Sequence, residues 1–217
     1  MQSIHIEVYY DFICPWCWIG QRHLAAALAE TGVRDAVSIR YMPFELNRSM
    51  PVEGMDRRVY RTRKFGSWAR SQILDAQVTA AGLAAGAPFD YAKVLRTPNT
   101  RFAHRLIRFA QSRNDPHTTH ALYQTIYAAC FSEGRDIGSL DTLVEIAAEH
   151  ALDAHDVRGR LLSTAGDHEI DATREKADRL GIRAVPTIVI DGDTISGAQP
   201  PAVFSNALRL AIRRKAA

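Results

Sequence analysis

Two cysteines three residues apart, Cys14 and Cys17, enclose Pro15 and Trp16 where an apolar strand-like run, Ile4 to Tyr10, gives way to a helix-like run, Ile19 to Glu30. On the first turn of a helix that spacing puts both side chains on one face and within reach of each other. Such a pair can close and open a disulfide with little backbone movement, and so carry electrons. The two sulfurs are not equivalent. Cys14 falls where the helix presents unpaired amides and a partial positive charge, which favours its thiolate and makes it the expected nucleophile. Cys17 lies nearly a turn deeper beside Trp16, Trp18 and Ile19, placed to displace whatever becomes attached to Cys14. Pro15 suits the first helical position, because its fixed φ is helical and its missing N–H would have no partner there.

A zinc half-site is the competing reading of the same tetrapeptide. A structural zinc ion takes four Cys or His ligands, often in two close pairs, whereas the chain has three cysteines and no His pair at a familiar spacing. No metal site is expected. Cys130 stands alone on an apolar helical run with Leu122, Ile126, Ala129 and Phe131, and reads as a small buried hydrophobe.

With 217 residues the chain can bury a substantial core without disulfide staples, which leaves the cysteine pair free for chemistry. Lys and Arg number 27 against 24 Asp and Glu, too small an excess to indicate nucleic acid. The local basic clusters, Arg57, Arg58, Arg61, Arg63 and Lys64 and then Arg213 to Lys215, read as solvated faces. No run reaches the roughly 18 to 20 apolar residues of a membrane span. The first residues show no export leader, so a cytoplasmic location is expected. There most thiols are kept reduced, and a CxxC pair is more often catalytic than structural.

The elements that must position the pair are legible in outline. Ile4, Ile6, Val8 and Tyr10 alternate as a strand, Leu24, Ala27 and Leu28 have helical spacing, and Val37 to Phe44 is β-like, together a βαβ unit. Asn47 to Gly54 is a loop leaving the sheet. Helical periodicity without a convincing strand then runs from about Val59 to Ala165, punctuated by the capping signals Asp115-Pro116, Ser139 and Asp153 with Asp156. A helix from about Asp167 to Leu180 follows. Thr187 to Ile190 and Thr194 to Ser196 form a hairpin about Asp191-Gly192, and Pro201 to Arg213 is a closing helix. The expected class is α/β: a thioredoxin-like fold in two parts, residues 1–58 and 166–217, with an inserted all-helical subdomain at 59–165.

Several ordered blocks carry a resemblance across nearly the whole chain. They are Asp11 to Gly20 (DFICPWCWIG), Pro43 to Asn47, Pro98-Asn99-Thr100 with Ala103 to Leu106, Phe131 to Ile137, Val185-Pro186 and Ser196 to Gln199. In these the chain resembles DsbA-like thiol–disulfide oxidoreductases of the FrnE type. The resemblance implies a cis Val185-Pro186 bond facing the cysteines, with Val185 offering its backbone to an extended substrate. It further implies that Trp16, Asn47, Asn99, His104 and Gln199 line the substrate cleft. His104 is read first as a hydrogen-bonded structural residue. Asp11 is either a proton relay that tunes the cysteine pKa, or a polar cap at a strand-to-helix turn.

Two departures from the family stand out. Ala184 replaces the common glycine before Val-Pro, and Pro15-Trp16 lacks the imidazole found in strongly oxidising relatives, so a milder oxidant is expected. The expected activity is exchange of electrons with protein, peptide or glutathione disulfides. No cofactor is required, glutathione is a candidate co-substrate, and the resemblance admits a homodimer. Neighbouring branches offer a glutathione-dependent isomerase or kappa-class transferase as an alternative, and a redox-regulated binding module is the non-enzymatic one.

Overall fold

The computed structural model describes residues 3–216. Strand β1 (Ile4–Tyr10) leads into helix α1 (Pro15–Thr31), and β2 (Val37–Pro43) returns parallel to β1 with Ile4 opposite Val37 and Tyr10 opposite Pro43. The chain then leaves the sheet for six helices: α2 (Arg57–Phe65), α3 (Trp68–Ala85), α4 (Arg101–Ser112), α5 (Pro116–Ala128), α6 (Leu140–Glu149) and α7 (Ala154–Leu162). It comes back through α8 (Asp167–Arg179), which leads to the hairpin β5 (Thr187–Ile190) and β6 (Asp193–Ser196) and to the closing helix α9 (Pro201–Ala216). Apart from a small pair, β3 (Met55–Asp56) and β4 (Arg96–Thr97), the strands form one four-stranded sheet of order β2-β1-β5-β6, with β5 antiparallel to both of its neighbours.

Alternation along β1 divides the core. Ile4, Ile6, Val8 and Tyr10 face the large cluster shared with α1, α9 and the helical block, while Tyr9 faces the smaller cluster of Met42, Phe44, Ala177 and Ile182 under α8. Glu7, on the same side as Tyr9, pairs with Lys176 of α8. The large cluster runs without a break from the sheet into α4, α5 and α6, so the helices bury their apolar stripes on the sheet rather than around a separate core. Arg101 of α4 ties the block to Glu45 just after β2, at 2.9 Å, and to Asp167 of α8, at 2.8 Å.

Most helix ends follow from the residues expected to make them. Asp115 accepts from the amides of His117 and Thr118 ahead of α5, Ser139 from Thr142 ahead of α6, and Asp153 from Asp156 ahead of α7. Asp156 lies inside the first turn instead of capping it. Contrary to the expectation of an uninterrupted helical stretch, a two-residue strand β4 (Arg96–Thr97) pairs antiparallel with β3 (Met55–Asp56). Two residues are too short a run to show alternation, which is why periodicity missed them. The closing helix also runs three residues beyond Arg213, through a charged surface turn.

Phe12, just past β1, is fully buried with its ring centroid 4.8 Å from Tyr127, 5.0 Å from Tyr10 and 5.6 Å from Tyr123. It packs the end of the strand to α5. Phe12→Ala is expected to destabilise the protein by about 3–5 kcal/mol in urea unfolding, the usual cost of deleting a buried ring.

Candidate active site

Helix α1 begins at the loop that leaves β1. Cys14 is its N-cap, with extended backbone (φ −96°, ψ 105°), and Pro15 follows in the first turn, which contains no acidic residue. The Cys14 amide donates to the Asp11 carbonyl and the Cys17 amide to the Cys14 carbonyl, at 2.9 and 3.1 Å. Both unbridged cysteines are buried, Cys14 at the rim with 7% of its surface exposed and Cys17 with none. Burial pushes the Cys17 thiol well above its ordinary value, and the adjacent Cys14 sulfur adds to that by hydrogen bond and charge; an Asp11 backbone hydrogen bond pulls the other way and outweighs the smaller rise from the Asp11 charge.

Opposite the helix end lies the Val185–Pro186 peptide, which is cis. The Cys14 thiol reaches the Val185 carbonyl at 3.5 Å. Two contacts hold this loop. Gly197 donates its amide to the Pro186 carbonyl at 2.8 Å, and a Cβ placed on Gly20 would stand 3.2 Å from Pro186 Cγ and 3.4 Å from Ala198 Cα. Gly20 thus lets α1 and the Pro186 loop approach closely.

Asp11 is the junction beneath the pair and is fully buried. Its carboxylate accepts the Leu46 amide at 2.6 Å and faces His104 Nε2 at 3.2 Å, and its carbonyl accepts the Tyr127 hydroxyl at 2.9 Å as well as the Cys14 amide. His104 Nδ1 is buried without a partner.

The other residues expected in the cleft are dispersed. Trp16 is 41% exposed beside Cys14 and free to meet a substrate, whereas Trp18 is buried with its indole N–H on Gln124 Oε1 at 2.9 Å. Asn47 is half-buried and donates to the Tyr60 hydroxyl at 2.5 Å. Of Asn99, His104 and Gln199, all expected to line the cleft, His104 needs correcting. His104 is wholly enclosed. The Asn99 amide is taken up by the Met50 carbonyl and the Arg101 amide, both at its own loop junction. Gln199 turns its amide back on the Ser196 carbonyl, and its segment reaches Pro186 through Gly197 and Ala198 instead. Tyr127 and Leu46 escaped the sequence reading, since one looks like any apolar helix position and the other acts through its backbone. Among the described residues no cluster of three or more His, Cys, Asp or Glu is arranged to hold a metal ion, and no helix is long and apolar enough to cross a membrane.

A mixed sheet, a redox-spaced cysteine pair at a helix start and a cis-proline loop facing it define a thioredoxin-like α/β protein. Residues 5–209 match the model of the DSBA-like thioredoxin domain, and the chain belongs to that family of oxidoreductases. It is 32% identical over 208 residues to YwbO, an uncharacterized protein of Bacillus subtilis (strain 168), covering 95% of this chain and 96% of the relative. The crystal structure of a probable DsbA oxidoreductase from Streptomyces coelicolor superimposes with a TM-score of 0.87 at 30% identity, covering 96% of this chain and 90% of that one. The cytosolic disulfide reductase DsbM from Pseudomonas aeruginosa shares the fold, with a TM-score of 0.69 at 20% identity over 96% of this chain and 98% of its own.

Gly20→Val is expected to push the Pro186 loop off α1 and lower the rate of disulfide exchange about tenfold or more, as sub-ångström misplacement of reacting groups does. Turnover of a small disulfide, compared with an unchanged far-ultraviolet circular dichroism spectrum, checks it.

Proposed function

We propose that the protein is a thiol–disulfide oxidoreductase that exchanges electrons with protein, peptide or glutathione disulfides through Cys14 and Cys17. The observation that supports this most is the unequal burial of two sulfurs one helical turn apart. The rim thiol meets substrate and the enclosed one meets only its neighbour. In the reducing direction the Cys14 thiolate attacks one sulfur of the substrate, forming a mixed disulfide and expelling the other sulfur as a thiolate. The Cys17 thiolate then attacks Cys14 Sγ, closing the Cys14–Cys17 disulfide and releasing the second substrate thiolate, so that two electrons have passed to the substrate. The reverse sequence oxidises a substrate dithiol.

Cys14 caps the amino end of helix α1, whose first turn carries no acidic residue. The Val185 backbone offers an edge to which an extended peptide can add as a strand while its sulfur lies against Cys14, and the exposed Trp16 ring supplies apolar contact. DsbM, whose fold is shared, has been crystallised with GSH, which supports glutathione among the partners.

Intact-mass analysis of the Cys17→Ser protein mixed with a disulfide substrate tests the scheme. The protein is expected to stall as a stable adduct on Cys14. Normal turnover by Cys17→Ser would contradict the scheme and point to the single-thiol chemistry of an isomerase or transferase.

A further inference from the structure

Beside the first turn of α1 runs a small groove with a cavity volume of about 40 Å³. Ile13 and Pro15, the neighbours of Cys14 on either side, line it, together with Tyr60. Its charged lining consists of Arg57, Arg61 and Lys64 from α2 and Arg96 from β4, and no carboxylate is part of the wall. Behind the wall Asp75 takes one bond from Arg57 at 2.7 Å and one from Arg61 at 2.6 Å, and Asp136 lies 3.7 Å from Arg96. Two carboxylates thus answer four cations. Lys64 has no ion pair among the described residues, and its ammonium donates to the Tyr60 hydroxyl at 3.0 Å.

The two arginines are already ordered. Arg57 is buried over the Tyr91 ring, 4.6 Å from its centroid, and Asp75 is its one side-chain acceptor among the described residues, so further N–H groups remain for a ligand. Arg61 is fixed by Ser71 and Asp75. Holding guanidinium groups in place before an anion arrives removes much of the ordering cost of binding it, and their fork suits a carboxylate.

We propose that this groove binds the carboxylate of an anionic thiol or disulfide while the sulfur of the same molecule reacts at Cys14, so that the protein selects carboxylate-bearing substrates. The proposal rests on the exchange reaction above and names its substrate class. The basic run of α2 is then a recognition wall rather than a solvated face. The carboxylate has two sources, a small thiol acid such as glutathione or an acidic side chain next to a cysteine in a client protein.

Isothermal titration with S-methylglutathione and its dimethyl ester tests the groove without any exchange, because a thioether cannot react. The wild-type protein is expected to bind the diacid at least about fivefold more tightly than the ester, as local charge complementarity requires. The preference should vanish in Lys64→Gln/Arg96→Gln. It should persist in Arg179→Gln/Arg213→Gln, which removes the same charge outside the groove. A second arm uses an S-methylcysteine peptide flanked by Glu against its Gln counterpart. Preference in the first arm identifies a small thiol acid and in the second an acidic client. Equal binding of acid and neutral probe in both arms, or a preference that survives Lys64→Gln/Arg96→Gln, would overturn the proposal. Since neither probe exchanges, failure of the redox scheme would show in the adduct experiment and not here.

Discussion

Asp11 is the knot on which the rest of the site depends. One residue joins four parts of the chain: its carbonyl holds the start of α1 and the Tyr127 hydroxyl of α5, and its carboxylate holds the Leu46 amide after β2 and faces His104 of α4. The bonds to Tyr127 and His104 are buried, where an unpaired polar group costs roughly 1–3 kcal/mol, and that to Leu46 is half-buried, so strand end, helix start and helical block are locked to one another. Phe12 reinforces the junction with apolar contact to Tyr10, Tyr123 and Tyr127.

From this lock follows the separation of the two sulfurs. With β1 ending at Tyr10 and α1 starting at Pro15, Cys14 emerges at the rim against Val185, and one turn later Cys17 falls under Trp18 and the tyrosine cluster. The helical block does more than cover the sheet. Its α5 provides the floor under Cys17, and its α2 stands as a basic wall alongside Cys14.

The chemistry was the most legible part of the sequence, because a CxxC between an alternating strand and a helical run constrains geometry locally. Alternation in β1, the hairpin about Asp191-Gly192 and the Asp and Ser caps were equally local and stand where expected. Of the family blocks read as cleft lining, the one holding His104 is packing, as the structural reading of that residue had it, since ordered blocks record packing as faithfully as they record binding. His104 supports Asp11 from within, and Asn99 splices a loop to α4. Tyr127 and the β3–β4 pair depend on contacts between segments distant in sequence, which no periodicity encodes. The Arg57 to Lys64 cluster looked like an ordinary solvated helix face because its neighbours across the groove, Ile13 and Pro15, are more than 40 residues away.

The central claim is a division of labour between an accessible sulfur and an enclosed one. Residue-resolved iodoacetamide labelling of the reduced protein, followed by mass spectrometry across pH, tests it most directly. Cys14 should be labelled first and at neutral pH, while Cys17 and Cys130 stay protected; burial holds the Cys17 thiol high and pushes that of Cys130 up to about 12. Labelling of Cys17 or Cys130 as fast as Cys14, or a Cys14 no quicker than an ordinary free thiol, would contradict the account.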